Sequence, residues 1–135
     1  MLPVSSTKKL KIESQAAVTN SIQRGDLMFS FDFRSAFHYV QMHKAHKKFL
    51  GFSLKVGRKK RIYCFKNMRL GYRDASRVIT RVFRVPLHSW RKRDLRMFIH
   101  IDDGIGAKKT KEEAREAVKM VKKDLKYLEV EYSRI

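Results

Sequence analysis

The chain has 135 residues, of which 43% are hydrophobic, and this length and composition indicate one globular domain. Lysine and arginine outnumber acidic residues by 32 to 13, and the resulting formal charge of +19 predicts a polyanionic partner. The single cysteine excludes a disulfide framework. No apolar run approaches membrane-spanning length and no signal-peptide core is present, so we expect an intracellular protein without a membrane partner.

The N-terminal part predicts a loose leader over residues 1–8 and then a helix over 12–23. Gly25 is expected to stop this helix, because glycine commonly follows a helix end. Three apolar residues are expected on its inward face: Ala16, Ala17 and Ile22.

Apolar runs and turn residues predict three strands in the first half of the chain. The first covers 26–33, and the other two cover 49–56 and 62–65. A basic turn over 57–60 is expected to join the last two strands into a hairpin.

In the second half, Asp74 is expected to cap a helix that kinks or ends at Pro86. Strands over 95–101 and 105–107 are predicted on either side of an Asp-Asp turn. A capping box at Thr110 opens a further helix, and 127–132 predicts one more strand. The apolar face of this last helix consists of Ala114, Ala117, Val118, Val121, Leu125 and Leu128.

This order of elements predicts an α+β fold, with an antiparallel sheet backed by helices on one face.

Two carboxylate positions suggest a metal site. Asp102 and Asp103 follow the apolar run 98–101, and two adjacent like charges there are unfavourable without a counter-charge. Asp32 lies between two phenylalanines, where an ionised side chain is costly unless it is paired or metal-bound. The alternatives are an ordinary polar turn at Asp102 and a buried Asp32 paired with an arginine.

The order of these motifs resembles the palm of a reverse transcriptase over residues 13–132. The first and third palm motifs are matched by Asp32-Phe33-Arg34-Ser35-Ala36-Phe37 and His100-Ile101-Asp102-Asp103. Met68-Arg69-Leu70-Gly71, which leads into 74–83, resembles the second motif. The amino-acid sequence of residues 98–104, with Trp90 and Arg91 upstream, is most similar to that of the DIRS-like, tyrosine-recombinase retroelements. The predicted sheet would then be a polymerase palm with an RRM-like core.

The resemblance implies RNA-directed DNA polymerisation with two Mg²⁺ ions as cofactors, or Mn²⁺ in their place. Asp32, Asp102 and Asp103 would be the catalytic residues and metal ligands, and the carbonyl of Phe33 would complete one metal shell. A primer 3′-hydroxyl would be activated and the leaving pyrophosphate stabilised.

The same resemblance places the incoming deoxynucleoside triphosphate against two segments: Arg34, Ser35, Ala36 and Phe37 in one, and Leu70 and Gly71 in the other. Phe37 would exclude a ribose 2′-hydroxyl, which disfavours an RNA polymerase, although a core phenylalanine is the plain alternative.

Candidate contacts to the template-primer are His100 near the primer end and a set of cations that could reach phosphates: Arg58, Lys59, Lys60, Arg73, Arg77 and Arg81. For each lysine, a solvated surface position is the alternative.

Residues 9–135 would form a palm with a remnant of fingers and no thumb, and a longer polyprotein would supply the missing parts. The alternative function is a non-catalytic, basic nucleic-acid-binding remnant of such a polymerase.

Overall fold

The computed structural model describes residues 13–69, 71, 74–133 and 135. The helices and strands follow in the order α1 (Gln15–Ser21), β1 (Leu27–Asp32), β2 (Gly51–Val56), β3 (Lys59–Cys64), α2 (Ala75–Lys92), β4 (Arg96–His100), β5 (Asp103–Lys108) and α3 (Lys111–Tyr127). Short 3-10 helices cover Ala36–Tyr39 and Lys44–Leu50 between β1 and β2. The predicted leader over 1–8 lies outside the described residues.

The main sheet has three antiparallel strands in the order β1-β5-β4, while β2 and β3 pair separately as a hairpin. Helices α2 and α3 cover the same face of the main sheet, and the Trp90 indole of α2 donates a hydrogen bond to Asp124 of α3 at 2.9 Å. The succession β1-α2-β4-β5-α3 with this strand order is the RRM-like arrangement. The predicted α+β fold is therefore confirmed.

Alternation along the strands gives the sheet one apolar face. Phe31 of β1, with Met97 and Ile99 of β4, is buried against the two helices. The helices contribute a matching stripe, which consists of Ala75, Ile79, Phe83, Leu87 and Trp90 of α2 and Ala117, Val121 and Leu125 of α3. The other face of the sheet carries Met28, Ser30 and Asp32, all of which are exposed.

The predicted N-terminal helix differs from α1 in length and in its packing. Helix α1 has seven residues and begins after Ser14, whose hydroxyl accepts a hydrogen bond from the Ala17 amide. Ala16 and Ala17 are exposed, so their predicted inward orientation is wrong. The connection after α1 is held by polar contacts at Asp26, and this explains why the helix needs no buried apolar face.

Helix α2 continues through Pro86 to Lys92, so of the two predicted outcomes, a kink or an end at Pro86, the end is wrong. A proline inside a helix costs about 3 kcal/mol. Burial of Phe83 before Pro86, and of Leu87 and Trp90 after it, offsets that cost. Asp74 is the N-cap residue but makes no side-chain capping bond. Its carboxylate accepts a hydrogen bond from Arg77 instead.

Two other predictions differ from the structure, while the Thr110 capping box is confirmed. The hairpin turn is only Gly57–Arg58, because Lys59 already pairs with Val56. A positive φ of 62° at Gly57 permits this tight turn. The predicted strand over 127–132 is reduced to a single bridge between Phe33 and Tyr132. Among the described residues, no helix is both long and apolar enough to cross a membrane.

A buried carboxylate fastens the start of β1 to β4. The Asp26 side chain is fully shielded from solvent and lies 2.6 Å from the Arg96 guanidinium and 3.0 Å from the Lys109 ammonium. Its carboxylate also accepts a hydrogen bond from the Gln23 amide at 2.7 Å. The Arg96 hydrogen bond, followed by that from Gln23, holds the pKa of Asp26 far below its ordinary value.

Replacement of Asp26 by Asn should reduce the acid sensitivity of the fold. A carboxylate with a lowered pKa stabilises the folded state above its unfolded pKa of about 3.9, and this stabilisation is lost as the pH falls further. The amide cannot titrate, so Asp26→Asn should be less stable than the parent at pH 7 and should show a flatter decline below about pH 4. Urea unfolding from pH 3 to 7 measures both effects. Asp94→Asn, at a fully exposed side chain, is the control and should leave the decline unchanged.

Candidate active site

The three aspartates meet at one end of the sheet. Asp32 ends β1 and lies directly opposite Asp103, the first residue of β5. The Phe33 amide donates a hydrogen bond to the Asp102 carbonyl at 2.7 Å, which ties the turn at Ile101 and Asp102 to the end of β1. His100 of β4 lies opposite Asp103 from the other side. The backbone therefore brings all three predicted metal-ligating aspartates, together with His100, to the same end of the sheet.

The side chain of Asp32 lies on the open face of the sheet. Phe31 and Phe33 point to the helix-covered face and are 2% and 3% exposed, whereas Asp32 is exposed to solvent. The expectation that Asp32 is desolvated by its neighbours is therefore wrong, because alternate residues of a strand face opposite sides. The alternative of a buried Asp32–arginine pair is wrong for the same reason.

The carboxyl groups of Asp32 and Asp103 lie close enough for Asp32 to raise the pKa of Asp103. Partial burial raises the pKa of Asp103, and its hydrogen bond with Asp32 and the negative charges of Asp102 and Asp32 add to the rise. His100 acts in the opposite direction. Two carboxylates that repel in this way suit a divalent cation, whose charge would offset the repulsion.

The third carboxylate does not complete a ligand set. Within the described ranges, no group of three or more His, Cys, Asp or Glu side chains is arranged to hold a metal ion. The donor pair of Asp32 and Asp103 thus fits a cation in charge and chemistry, and the charge of Asp102 lies close enough to act on Asp103.

Two cross-strand contacts between phenylalanine and glycine position the carboxylates. A Cβ atom on Gly104 would lie 2.5 Å from the Cζ atom of Phe31, and one on Gly106 would lie 2.3 Å from that of Phe29. The aromatic rings therefore occupy the space in which a side chain of β5 would stand. Phe31 precedes Asp32 and Gly104 follows Asp103, so this packing sets the spacing of the two strands beside the acids. Two sequence patterns could have indicated this packing: Phe29 and Phe31 alternate along β1, and two glycines, Gly104 and Gly106, alternate along β5.

The C-terminal segment also fastens Asp32, which the sequence did not indicate. The Asp32 amide donates to the Ser133 hydroxyl at 2.8 Å, and the Ser133 amide donates to the Asp32 carbonyl at 2.8 Å. The Arg34 amide donates in turn to the Glu131 carbonyl at 2.9 Å. The backbone of Asp32 is therefore held on both sides, while its carboxylate stays in solvent.

The predicted nucleotide-binding residues after Asp32 form a turn. Arg34 and Ser35 are exposed, and Ser35 has a positive φ of 50°. Ala36 is buried, and Phe37 is partly buried with its ring packed against the core. Phe37 is thus partly a core residue, which agrees in part with the alternative that it is a core phenylalanine, but part of its side chain is exposed to solvent.

Hydrogen bonds join this turn to the second predicted nucleotide-binding segment. The Asn67 side-chain amide donates to the His38 carbonyl at 2.7 Å, and the Met68 amide donates to the Val40 carbonyl at 2.8 Å. Gly71 has a positive φ of 92°, and no atom lies within 4 Å of where its Cβ would be. Backbone conformation therefore accounts for glycine at this position. Leu70 lies outside the described residues.

The predicted phosphate contacts fall into two groups. Arg58, Lys59 and Lys60 are exposed at the tip of the β2–β3 hairpin. Arg77 and Arg81 lie on α2, which covers the face of the sheet opposite Asp32, and Arg77 is bonded to Asp74 at 3.1 Å. Arg73 lies outside the described residues. The structure therefore does not bring the α2 arginines and the carboxylates onto one face.

Comparison with known families gives the context for this geometry. Residues 2–134 match the family described as Reverse transcriptase (RNA-dependent DNA polymerase). The chain belongs to the reverse transcriptase family. A search of curated proteins gave no match. The family match covers nearly the whole chain, and the α+β architecture agrees with a reverse transcriptase palm.

The substitution Gly104→Ala should destabilise this reverse transcriptase domain by about 1–3 kcal/mol, because the added methyl group overlaps the Phe31 ring. Urea unfolding measures the loss. Gly51→Ala is the matched strand control, since the nearest atom to its Cβ lies at an ordinary 3.5 Å. In the Phe31→Leu background, Gly104→Ala should lower the free energy of unfolding by less, because the Phe31 ring is absent. An equal cost in both backgrounds would show that the ring contact is not the cause.

Proposed function

We propose that this domain catalyses RNA-directed DNA synthesis by adding deoxynucleotides to a primer 3′-hydroxyl, with Asp32, Asp102 and Asp103 as the catalytic residues. The observation that carries the proposal is the register of β1 and β5, which sets Asp32 opposite Asp103 at an open sheet edge. Membership of the reverse transcriptase family supports this use of the edge.

Asp32 and Asp103 would hold divalent cations, two Mg²⁺ ions by analogy with the family or Mn²⁺ in their place, with Asp102 and the Phe33 carbonyl as further ligands. Carboxylate oxygens are the ligands that Mg²⁺ prefers. When bound, the cations supply positive charge for the reacting phosphate and hydroxyl oxygens. The aspartates would contribute fixed negative charge on a rigid strand pair, and the Ser133 contacts would keep Asp32 in place.

Phe37 would select deoxynucleotides by occupying the space of a ribose 2′-hydroxyl. Its partial packing against the core supports this role, because a ring that is held on one side cannot easily move away from a sugar. Arg34, Ser35 and Ala36 would line the same pocket, with Leu70 and Gly71 on the facing segment.

The hairpin would contact nucleic-acid phosphates through Arg58, Lys59 and Lys60. Lys55 and Lys60 lie directly opposite each other on the paired strands, and like charges at such positions destabilise a sheet. A bound phosphate backbone would relieve this repulsion. His100 would approach the primer end, since it lies beside Asp103 on the open face.

The motif 98–104 supports a finer proposal, that the domain comes from a DIRS-like retroelement and acts inside the cell. RNA or DNA template-primer and deoxynucleoside triphosphates would be its partners. Fingers and thumb would come from a longer polyprotein.

A second candidate function is non-catalytic nucleic-acid binding by the same basic fold. The observation that favours it is the lack of a three-residue metal-ligand group among the described residues. The two candidates differ in whether the carboxylates bind divalent cations.

Substitution of Asp103 by Asn should stabilise the cation-free domain at pH 7 and remove its response to Mg²⁺. An aspartate with a raised pKa favours the folded state most when protonated, and this advantage is lost as the pH rises through the pKa. The amide removes the repulsion between residue 103 and the neighbouring carboxylates, so the melting temperature of the Asp103→Asn variant should rise. With Mg²⁺ at ten times its dissociation constant, the parent should gain about 1.4 kcal/mol, and Asp103→Asn should gain almost nothing.

Glu116→Gln is the control for Asp103→Asn, because Glu116 is exposed on α3 and should keep the full Mg²⁺ response. Thermal melts with and without Mg²⁺ give both quantities. An equal Mg²⁺ response in the parent and in Asp103→Asn would favour the non-catalytic candidate.

The substitution Phe37→Ala should admit ribonucleotides. The test uses a chimera in which this domain replaces the palm of an active reverse transcriptase, so that fingers and thumb position the substrates. Primer extension with ribonucleotides should rise at least tenfold relative to deoxynucleotides, about 1.4 kcal/mol of lost discrimination. Asp102→Asn in the same chimera should abolish extension. Unchanged sugar selection would contradict the role of Phe37, and robust extension by Asp102→Asn would contradict the metal site.

A further inference from the structure

One lateral face of α3 carries a line of exposed cations that the proposed active site does not use. They are Lys111, Arg115, Lys119, Lys122 and Lys126. Steps of three or four residues keep them within about 80° of the helix circumference. This face, which we term the α3 track, is separate from the buried stripe of Ala117, Val121 and Leu125.

The charges of the α3 track are not neutralised within the described part of the chain. The ion pairs found there involve other cations. Glu112 and Glu116 lie on the same helix, but neither pairs with a track residue. A row of exposed, unpaired like charges repels itself and attracts a polyanion.

The length of the α3 track suits one nucleic-acid strand. From Lys111 to Lys126 the helix rises by about 22 Å. At about 3.4 Å per charge along one strand, this distance corresponds to roughly six phosphates. The five cations of the track are therefore close to the number of charges that one strand presents over the same distance.

A groove adjoins the α3 track, because Lys122 and Lys126 belong to both. It has a volume of about 670 Å³, and its basic lining consists of Arg34, Lys122, Lys123 and Lys126. Glu129 and Glu131 also line the groove.

Tyr127 distinguishes a single strand from other polyanions. Its side chain is 87% exposed at the end of α3, beside Lys126. Exposed aromatic rings beside cations are the usual means of binding single strands, because unpaired bases stack on them. Neither the stacked bases of a duplex nor an acidic peptide offers a free base face.

We propose that the α3 track and Tyr127 form a binding surface for single-stranded nucleic acid, with the groove that Arg34, Lys122 and Lys126 line as part of it. The phosphates contact the track cations and a base stacks on Tyr127. The proposal concerns binding alone, so it does not depend on polymerase activity.

The first test neutralises part of the track with the triple substitution Lys119→Gln, Lys122→Gln and Lys126→Gln. Binding of a labelled single-stranded oligodeoxynucleotide is measured by fluorescence anisotropy over a series of salt concentrations. The slope of log K against log salt should flatten by about 2, at about 0.7 per lost phosphate contact.

The matched control removes three exposed cations elsewhere through Arg24→Gln, Lys66→Gln and Lys92→Gln. It makes the same change in net charge and should alter the slope by far less. Equal effects of the two triple variants would overturn the proposal, because binding would then follow net charge alone.

The second test is Tyr127→Leu, which should weaken single-strand binding by roughly fivefold or more and leave duplex binding unchanged. Circular dichroism and thermal melts confirm that each variant is folded. Equal loss for single strand and duplex, or displacement of the oligonucleotide by polyglutamate at matched charge, would overturn the proposal. Binding is measured without Mg²⁺ or nucleotides, so failure of the polymerase proposal would be seen separately.

Discussion

The antiparallel pairing of β1 with β5 is the contact on which the rest of the domain depends. It sets Asp32 opposite Asp103 and, one position earlier, Phe31 opposite Gly104. Side chains alternate between faces, so the same register buries the aromatic rings and exposes the acids. A shift by one residue would exchange the two faces, placing carboxylates in the core and phenylalanines in solvent. Core packing and the geometry of the candidate site are therefore specified together.

The sequence predicts best where the signal is local. The capping box at Thr110 and the buried α3 residues Ala117, Val121 and Leu125 lie within one helix, and the strands around Asp32 and Asp103 follow from short apolar runs. Leu128, which was predicted on the same apolar face, follows the helix and is exposed. The exposure of Asp32 was also readable from strand alternation, but the flanking phenylalanines suggested burial instead. The error came from treating neighbours along the chain as neighbours in space.

The remaining differences arise from contacts between distant segments. Helix α2 passes through Pro86 because Leu87 and Trp90 beyond it are buried against the sheet and α3. Ser133 fastens Asp32 from a segment about a hundred residues away, which no local pattern could indicate. The lack of a three-residue metal-ligand group among the described residues likewise depends on side-chain directions, whereas sequence spacing predicts only that the backbones converge.

Backbone and side chains have different roles at the carboxylate edge. Hydrogen bonds from Ser133 and Phe33 fix the chain at Asp32 and Asp102, whereas the carboxylates themselves have few partners. Like charges are thereby held close together by the strand pairing, at a cost in stability that the raised pKa of Asp103 reflects. Basic surfaces on the hairpin and on α3 show the same relation, since like charges are held close together on each of them. Like charges thus lie together where they are open to solvent, whereas a carboxylate buried between elements of the domain, that of Asp26, is paired with cations of the same chain.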